Sequence, residues 1–299
     1  MNNRIAISDS PLSLKKTKRL NQRVTRNIVK VFSYIVLITG SIIFLIPLFW
    51  QISTSLKTPE ETILYPPVWI PASFQWQNYL ELIERFPYHL YSRNSLIISI
   101  SVILGTVFSN SLAAYGFARL RMPGKDVIFI ILLSTLMLPS VVLIIPQFVI
   151  FQSLKWTNTY YPLIVPAFFG NAFYLFLMRQ FFMGIPRELE DAARIDGAGY
   201  FRIYSQIILP LSKPALITVA LFTFVATWND FFGPLIYLSD SAKYTIAVAL
   251  RYLQGSVRSR PENHLLMAAA TLSMLPCILV FFAAQRQFIQ GTVITGVKG

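Results

Sequence analysis

The sequence predicts an all-α integral membrane protein with six transmembrane helices, and three observations carry that prediction. Hydrophobic residues make up 55% of the 299 and charged residues only 13%, against roughly 25% charged in an ordinary soluble domain. The apolar residues gather into runs near the length of about 20 that crosses about 30 Å of hydrocarbon. These runs cover 31–52, 95–118, 127–151, 161–182, 215–238 and 265–284. The cations, finally, collect between the runs and do so unevenly.

Six crossings leave both ends on one side. That side holds eighteen of the 26 Lys and Arg residues, among them Arg4 to Lys30, Arg119, Arg121, Lys125, Arg179, Arg187, Arg194 and Arg202. The excess predicts that both termini are cytoplasmic. The net charge of +13 is therefore assigned to topology and anionic headgroups rather than to nucleic acid. Residues 1–30 read as a cytoplasmic segment without a cleavable signal, and 31–299 as one membrane domain. The single cysteine, Cys277, lies in an apolar run and reads as packing. His89 and His264 are far apart and have no carboxylate pattern around them, so no metal site is assigned.

Pro139 and Pro146 fall inside the third run, which predicts a kinked or broken helix. The outward loops are rich in aromatics, as in Tyr65-Pro66-Pro67-Val68-Trp69, and this suits anchoring at the headgroup level.

The loop after the fourth run is the most informative. Pro186 suits a first helical position, Glu188 and Glu190 favour a helix N-terminus, and Gly197 suits a left-handed stop. A short helix over 187–196 follows, with Leu189, Ala192 and Ala193 as an apolar stripe and Glu190 within reach of Arg194. A second helix over 200–208 carries Phe201, Tyr204 and Ile208 on one face and stops at Pro210. Ser212 is placed to cap the next helix. Two short helices around Gly197-Ala198-Gly199 form a peg suited to passing force between a bundle and a cytosolic protein.

Asp191-Ala192-Ala193, Gly197, Ile207 and Leu209-Pro210 resemble the loop motif of ATP-binding-cassette (ABC) importer permeases, which has Glu where Asp191 stands. The substitution keeps the charge and shortens the reach. The likeness extends over nearly the whole chain and is nearest the carbohydrate-uptake branch, in particular the smaller permease of maltose-type transporters. Thr227-Trp228-Asn229-Asp230-Phe231-Phe232-Gly233-Pro234-Leu235 and the stretch from Gln285 to Gly299 match further.

The resemblance implies a type I importer permease domain in a bacterial inner membrane, with Asp191, Ala192, Ala193, Gly197, Ile207, Leu209 and Pro210 at an ATPase contact. It implies a second permease as heterodimer partner, two cytoplasmic ATPase subunits and an extracytoplasmic solute-binding protein. The stretch from Gln285 is expected to reach the ATPases as well. The chain itself has no Gly-rich loop followed by Lys-Ser or Lys-Thr, so ATP and Mg belong to the partners and no catalytic residue or bound cofactor is expected here. Trp228, Asn229, Asp230 and Phe231 lie within the fifth run. Their polar groups read as a pathway lining, with the rings available to a sugar, or alternatively as an interhelical hydrogen-bond cluster. The competing function, an ion-coupled secondary carrier, would need ionisable groups in the spans, and Asp230 alone is available.

Overall fold

The computed structural model describes residues 11–255 and 262–295, with side chains described for 26–139, 141–254 and 262–285. It is helical throughout the described residues, with no strand. The chain divides into two units, Met1–Ser53 and Thr54–Gly299. The described residues of the first lie in α1 (Pro11–Ser55), which ends just beyond the boundary and contains the apolar stretch Arg26–Ser55.

In the second unit a short amphipathic helix, α2 (Gln77–Arg85), precedes α3 (Tyr88–Arg119). Next come α4 (Lys125–Ser134), α5 (Ser140–Ser153), α6 (Tyr161–Ile164) and α7 (Ala172–Met183). The loop helices are α8 (Glu188–Ile195), α9 (Tyr200–Ile203) and α10 (Leu209–Leu211), with a π-helical turn over Tyr204–Ile208 between the last two. The chain closes with α11 (Lys213–Trp228), α12 (Phe232–Tyr237), α13 (Ile246–Gly255) and α14 (Asn263–Thr295).

Among the described residues four stretches are long and apolar enough to cross a membrane, and two bent pairs raise the number to six if each is one span. The first bent pair turns by 103° between Met137 and Val141. Pro139 sits at that turn, in extended backbone, whereas Pro146 is carried inside α5. Of the two prolines expected to disrupt this run, only the first ends a helix. The second bent pair turns by 76° at Ser212, beyond Pro210. Ser212 makes no capping bond, in contrast to the sequence expectation. Its N–H is taken by the Ile208 and Leu209 carbonyls, and its Oγ is buried without a partner.

Helix α3 is the post on which the second unit is built, since α7, α11 and the 3-10 turn Val165–Phe169 all pack along it. Gly105 lets that turn come close: a Cβ there would meet the Phe168 ring at 2.7 Å. The turn ends at Gly170, whose φ of +89° needs glycine. Asn171 then caps α7 by accepting from the Phe173 and Tyr174 amides. Asn110 of α3, fully buried, accepts from the Asn171 N–H at 2.8 Å and donates to the Thr106 carbonyl. A break at membrane depth needs such substitute partners, because hydrocarbon offers none.

Replacing Asn110 by Ala orphans the Asn171 N–H, and a buried unsatisfied amide costs about 1–3 kcal/mol. The variant is expected to unfold at lower temperature in detergent than wild type. An unchanged melting profile would refute this account of the break.

Candidate functional site

The loop after α7 folds much as its sequence dictates. Acidic Glu188, Glu190 and Asp191 occupy the first turn of α8, and Gly197 stops the helix with φ of +81°. The second half of the loop plugs into the core: Ile203, Tyr204 and Ile208 are buried against Ala114, Tyr115 and Ala118 of α3 and Phe182 of α7. The Tyr204 hydroxyl lies 2.8 Å from Ser111 Oγ. Phe201, expected on this face, is 73% exposed. The π-helical turn shifts the register so that Ile203 takes its place. Pro210, which has no N–H to offer, follows that widened turn.

What fixes α8 is a residue from a distant part of the chain. Arg119, the last residue of α3, is buried, and its Nε lies 3.0 Å from Glu190 Oε1. The two side chains are only 3% and 5% exposed. The same guanidinium donates to the carbonyls of Phe182 and, at 2.6 Å, Ile185. Phe182 is in the last turn of α7 and Ile185 two residues beyond its end, where the regular helical bonding gives out. A cation at the C-terminus of α7 and an anion in the first turn of α8 both suit the helix dipoles. One side chain thus ties together the ends of three helices.

The sequence reading paired Glu190 with Arg194. That contact exists at 4.0 Å, but the buried partner is Arg119, 71 positions earlier, which the sequence marked only as one of many loop cations. Arg194 also approaches Asp191 at 3.8 Å and lies over the Tyr200 ring. A cavity of about 470 Å³ opens beside α8, lined by Arg119, Arg121, Arg187, Glu190, Asp191 and Arg194 among others.

With Glu190 turned inward, the apolar side of α8 is left outside. Leu189 is 44% exposed and Ile195 87%, Asp191 and Ala192 are exposed, and Ala193 is half-buried. Ile207 and Leu209 are half-buried and Pro210 is exposed. An amphipathic helix that only covers its own bundle would show the opposite arrangement.

The fifth apolar run breaks after Trp228. Trp228 itself is 2% exposed, stacks on Phe224 and donates its indole N–H to the Ser273 carbonyl at 2.9 Å. Its ring is therefore engaged in packing and is not open to a sugar. Asn229 is exposed, donates to the Val225 carbonyl and lies 3.9 Å from Cys277 Sγ. Asp230 Oδ1 accepts from the Gly233 N–H at 3.2 Å, so the carboxylate caps the start of α12. Phe231 is half-buried. These residues form the end of one half-helix and the cap of the next. The stretch from Gln285 is helical to Thr295, but its side chains from Arg286 onward, and all of 296–299, lie outside the described residues.

The described residues thus form a helical bundle with bent candidate membrane spans and a loop helix whose apolar side is exposed. Residues 105–293 match the family model for the inner membrane component of binding-protein-dependent transport systems. The chain belongs to that family. It is 30% identical to the probable ABC transporter permease protein YurM of Bacillus subtilis, covering 98% of this chain and 95% of that one. It is 31% identical to the sn-glycerol-3-phosphate transport system permease protein UgpE of Yersinia enterocolitica, covering 88% and 95%. It is 32% identical to the polygalacturonan/rhamnogalacturonan transport system permease protein YtcP of Bacillus subtilis, covering 88% and 96%. A bacterial ABC transporter involved in the import of the acidic polysaccharide alginate shares the fold, with a TM-score of 0.77 at 22% identity over 88% of this chain and 98% of that one.

Removing one partner of a buried ion pair costs about 3–5 kcal/mol, whereas replacing both by apolar residues is often near neutral. Arg119→Gln is expected to lower the melting temperature in detergent and to speed proteolysis of 186–200. The double change Arg119→Met with Glu190→Met is expected to recover most of the melting temperature. Equal melting of Arg119→Gln and wild type would show that the pair does not hold the loop.

Proposed function

We propose that this chain is one permease subunit of an ATP-driven importer, working with a second permease, two cytoplasmic ATPase subunits and an extracytoplasmic solute-binding protein. The observation that carries the proposal is α8. Its carboxylate Glu190 is locked inward while Leu189, Ala192 and Ile195 face outward, as a helix does when it serves a cleft on another protein. Asp191, Ala192, Ala193 and Gly197 lie at that contact, with Ile207, Leu209 and Pro210 seating the returning chain. ATP and Mg belong to the partner subunits, and the chemistry with them. This chain is not an enzyme. Both termini lie in the cytoplasm, with 1–30 as the cytoplasmic segment and 31–299 as the transport domain.

A push on α8 reaches Arg119 and, through it, the ends of α3 and α7. Because α3 also carries α11, the movement extends to the broken fifth span at Asn229, Asp230 and Phe231, which line the pathway. The rival, an ion-coupled carrier, needs a carboxylate free to exchange protons or ions, and Asp230 is engaged as a cap. The imported solute belongs to the sugars and related polyol phosphates, a class supported by the relatives named for sn-glycerol-3-phosphate and for polygalacturonan/rhamnogalacturonan.

The test is purification from the native membrane in mild detergent. A second permease and an ATPase are expected at stoichiometric levels. Gly197→Pro, which forces φ to about −65° where the chain needs +81°, and Ala193→Trp are each expected to reduce retained ATPase by about tenfold or more, equivalent to about 1.4 kcal/mol. The second permease is expected to stay. A chain that purifies alone and transports without ATP would overturn the proposal.

A further inference from the structure

The cavity beside α8 carries more positive charge than its own walls balance. Four guanidiniums line it, those of Arg119, Arg121, Arg187 and Arg194, against two carboxylates, Glu190 and Asp191, which leaves a surplus of two. Both carboxylates are engaged: Glu190 lies 3.0 Å from Arg119, and Asp191 lies 3.8 Å from Arg194. Arg121 and Arg187 are exposed, and among the described residues neither side chain makes an ion pair or a hydrogen bond. Of the 13 acidic side chains in the sequence only Asp9 lies outside the described set, too few to cancel the surplus.

A second, independent observation comes from Arg119 itself. Its side chain is only 3% exposed, with Nε beside Glu190 and Nη2 donating to the Phe182 and Ile185 carbonyls. Nη1 makes no hydrogen bond among the described residues and, unlike Nε, is not sealed from solvent. A guanidinium has five N–H donors and no acceptor, so the open nitrogen calls for an acceptor, and an anionic one is bound most strongly. The bonds to α7 and α8 already hold this group in place, so an incoming anion meets a donor whose position is fixed.

The source of the anion follows from where the cavity lies on α8. Arg187, Glu190, Asp191 and Arg194 recur at intervals of three and four residues and so share one side of the helix. The exposed Leu189, Ala192 and Ile195 form the adjoining side. A protein that covers the apolar side therefore comes to lie next to the cavity. An anionic lipid headgroup would satisfy the arginines and leave the apolar side bare, whereas an acidic side chain of the covering protein accounts for both.

We propose that this cavity receives an aspartate or glutamate side chain of the ATPase subunit seated on α8, which pairs with Arg121 and Arg187 and accepts from Arg119 Nη1. The inference rests on the importer reading and adds to it the sign of the contact, a carboxylate on the ATPase beside the cleft that takes the apolar side. Planar guanidiniums suit such a carboxylate. Charge complementarity of this kind fixes the register of two partners and suppresses wrong ones.

The test uses the whole complex in nanodiscs of phosphatidylcholine, a zwitterionic lipid, and follows dissociation of the ATPase subunit at several salt concentrations. For Arg121→Gln with Arg187→Gln, dissociation is expected to be about tenfold faster than wild type at low salt, with the gap closing as salt rises. The second permease is expected to stay. Lys213→Gln, exposed and outside the cavity, is expected to behave as wild type. In Arg121→Lys with Arg187→Lys, which keeps the charge and supplies amines, carbodiimide is expected to join position 121 or 187 to an acidic residue of the ATPase. Unchanged dissociation of the glutamine variant would overturn the proposal. So would an equal effect of Lys213→Gln, which would indicate surface charge in general. A defect present only when phosphatidylglycerol is added to the discs would overturn it as well and assign the cavity to a lipid headgroup. A wild-type chain that retains no ATPase would instead count against the importer reading itself.

Discussion

The buried pair of Arg119 and Glu190 is the constraint on which the rest of the site depends. Taking two charges out of water costs several kcal/mol per ion, and only good geometry with further hydrogen bonds recovers it. Here the recovery comes from the Phe182 and Ile185 carbonyls, from the C-terminal end of α7, and from the N-terminal turn of α8. The arrangement also fixes an orientation. If α8 rotated about its axis to bury Leu189 and Ala192, Glu190 would leave Arg119 buried and unpaired. The ion pair therefore keeps the apolar side of α8 facing out.

The same logic governs the broken spans. A helix interrupted in hydrocarbon leaves amides and carbonyls without water, so each break must supply its own partners. Asn110 and Asn171 do so between α6 and α7, and Asp230 does so at the start of α12. Polar residues at these depths thus have a structural task that exists before any solute arrives. Asn229, exposed and beside Cys277, likewise spends its Nδ2 on the Val225 carbonyl of its own helix.

Much of this was readable from local pattern. The helix over 188–195 follows from Pro186, the acidic first turn and Gly197, all of which act within a few residues of one another. The break at Pro139 follows from a missing donor. What could not be read locally depends on partners far along the chain. Arg119 looked like any loop arginine until α3 brought it to Glu190. The exposure of Phe201 follows from a π-helical turn that no periodicity of 3.6 anticipates. Trp228 looked like a sugar platform, and only the position of Ser273 on α14 shows its indole to be committed. The direction of the α8 stripe had the same origin, since spacing reports which residues share a face but not what that face meets.

The central claim is that α8 and α3 move as one body when the ATPases act. Spin labels at Leu104, exposed on α3, and at Ala192, exposed on α8, would report their separation in the assembled complex, in a Cys277→Ser background because Cys277 is the only cysteine. Electron–electron resonance distances, measured with and without trapped ATP, are predicted to stay the same within this chain while distances from Ala192 to the second permease change. A change of about 5 Å between α3 and α8, roughly one helical turn, would contradict the account and place the moving joint at Arg119 itself.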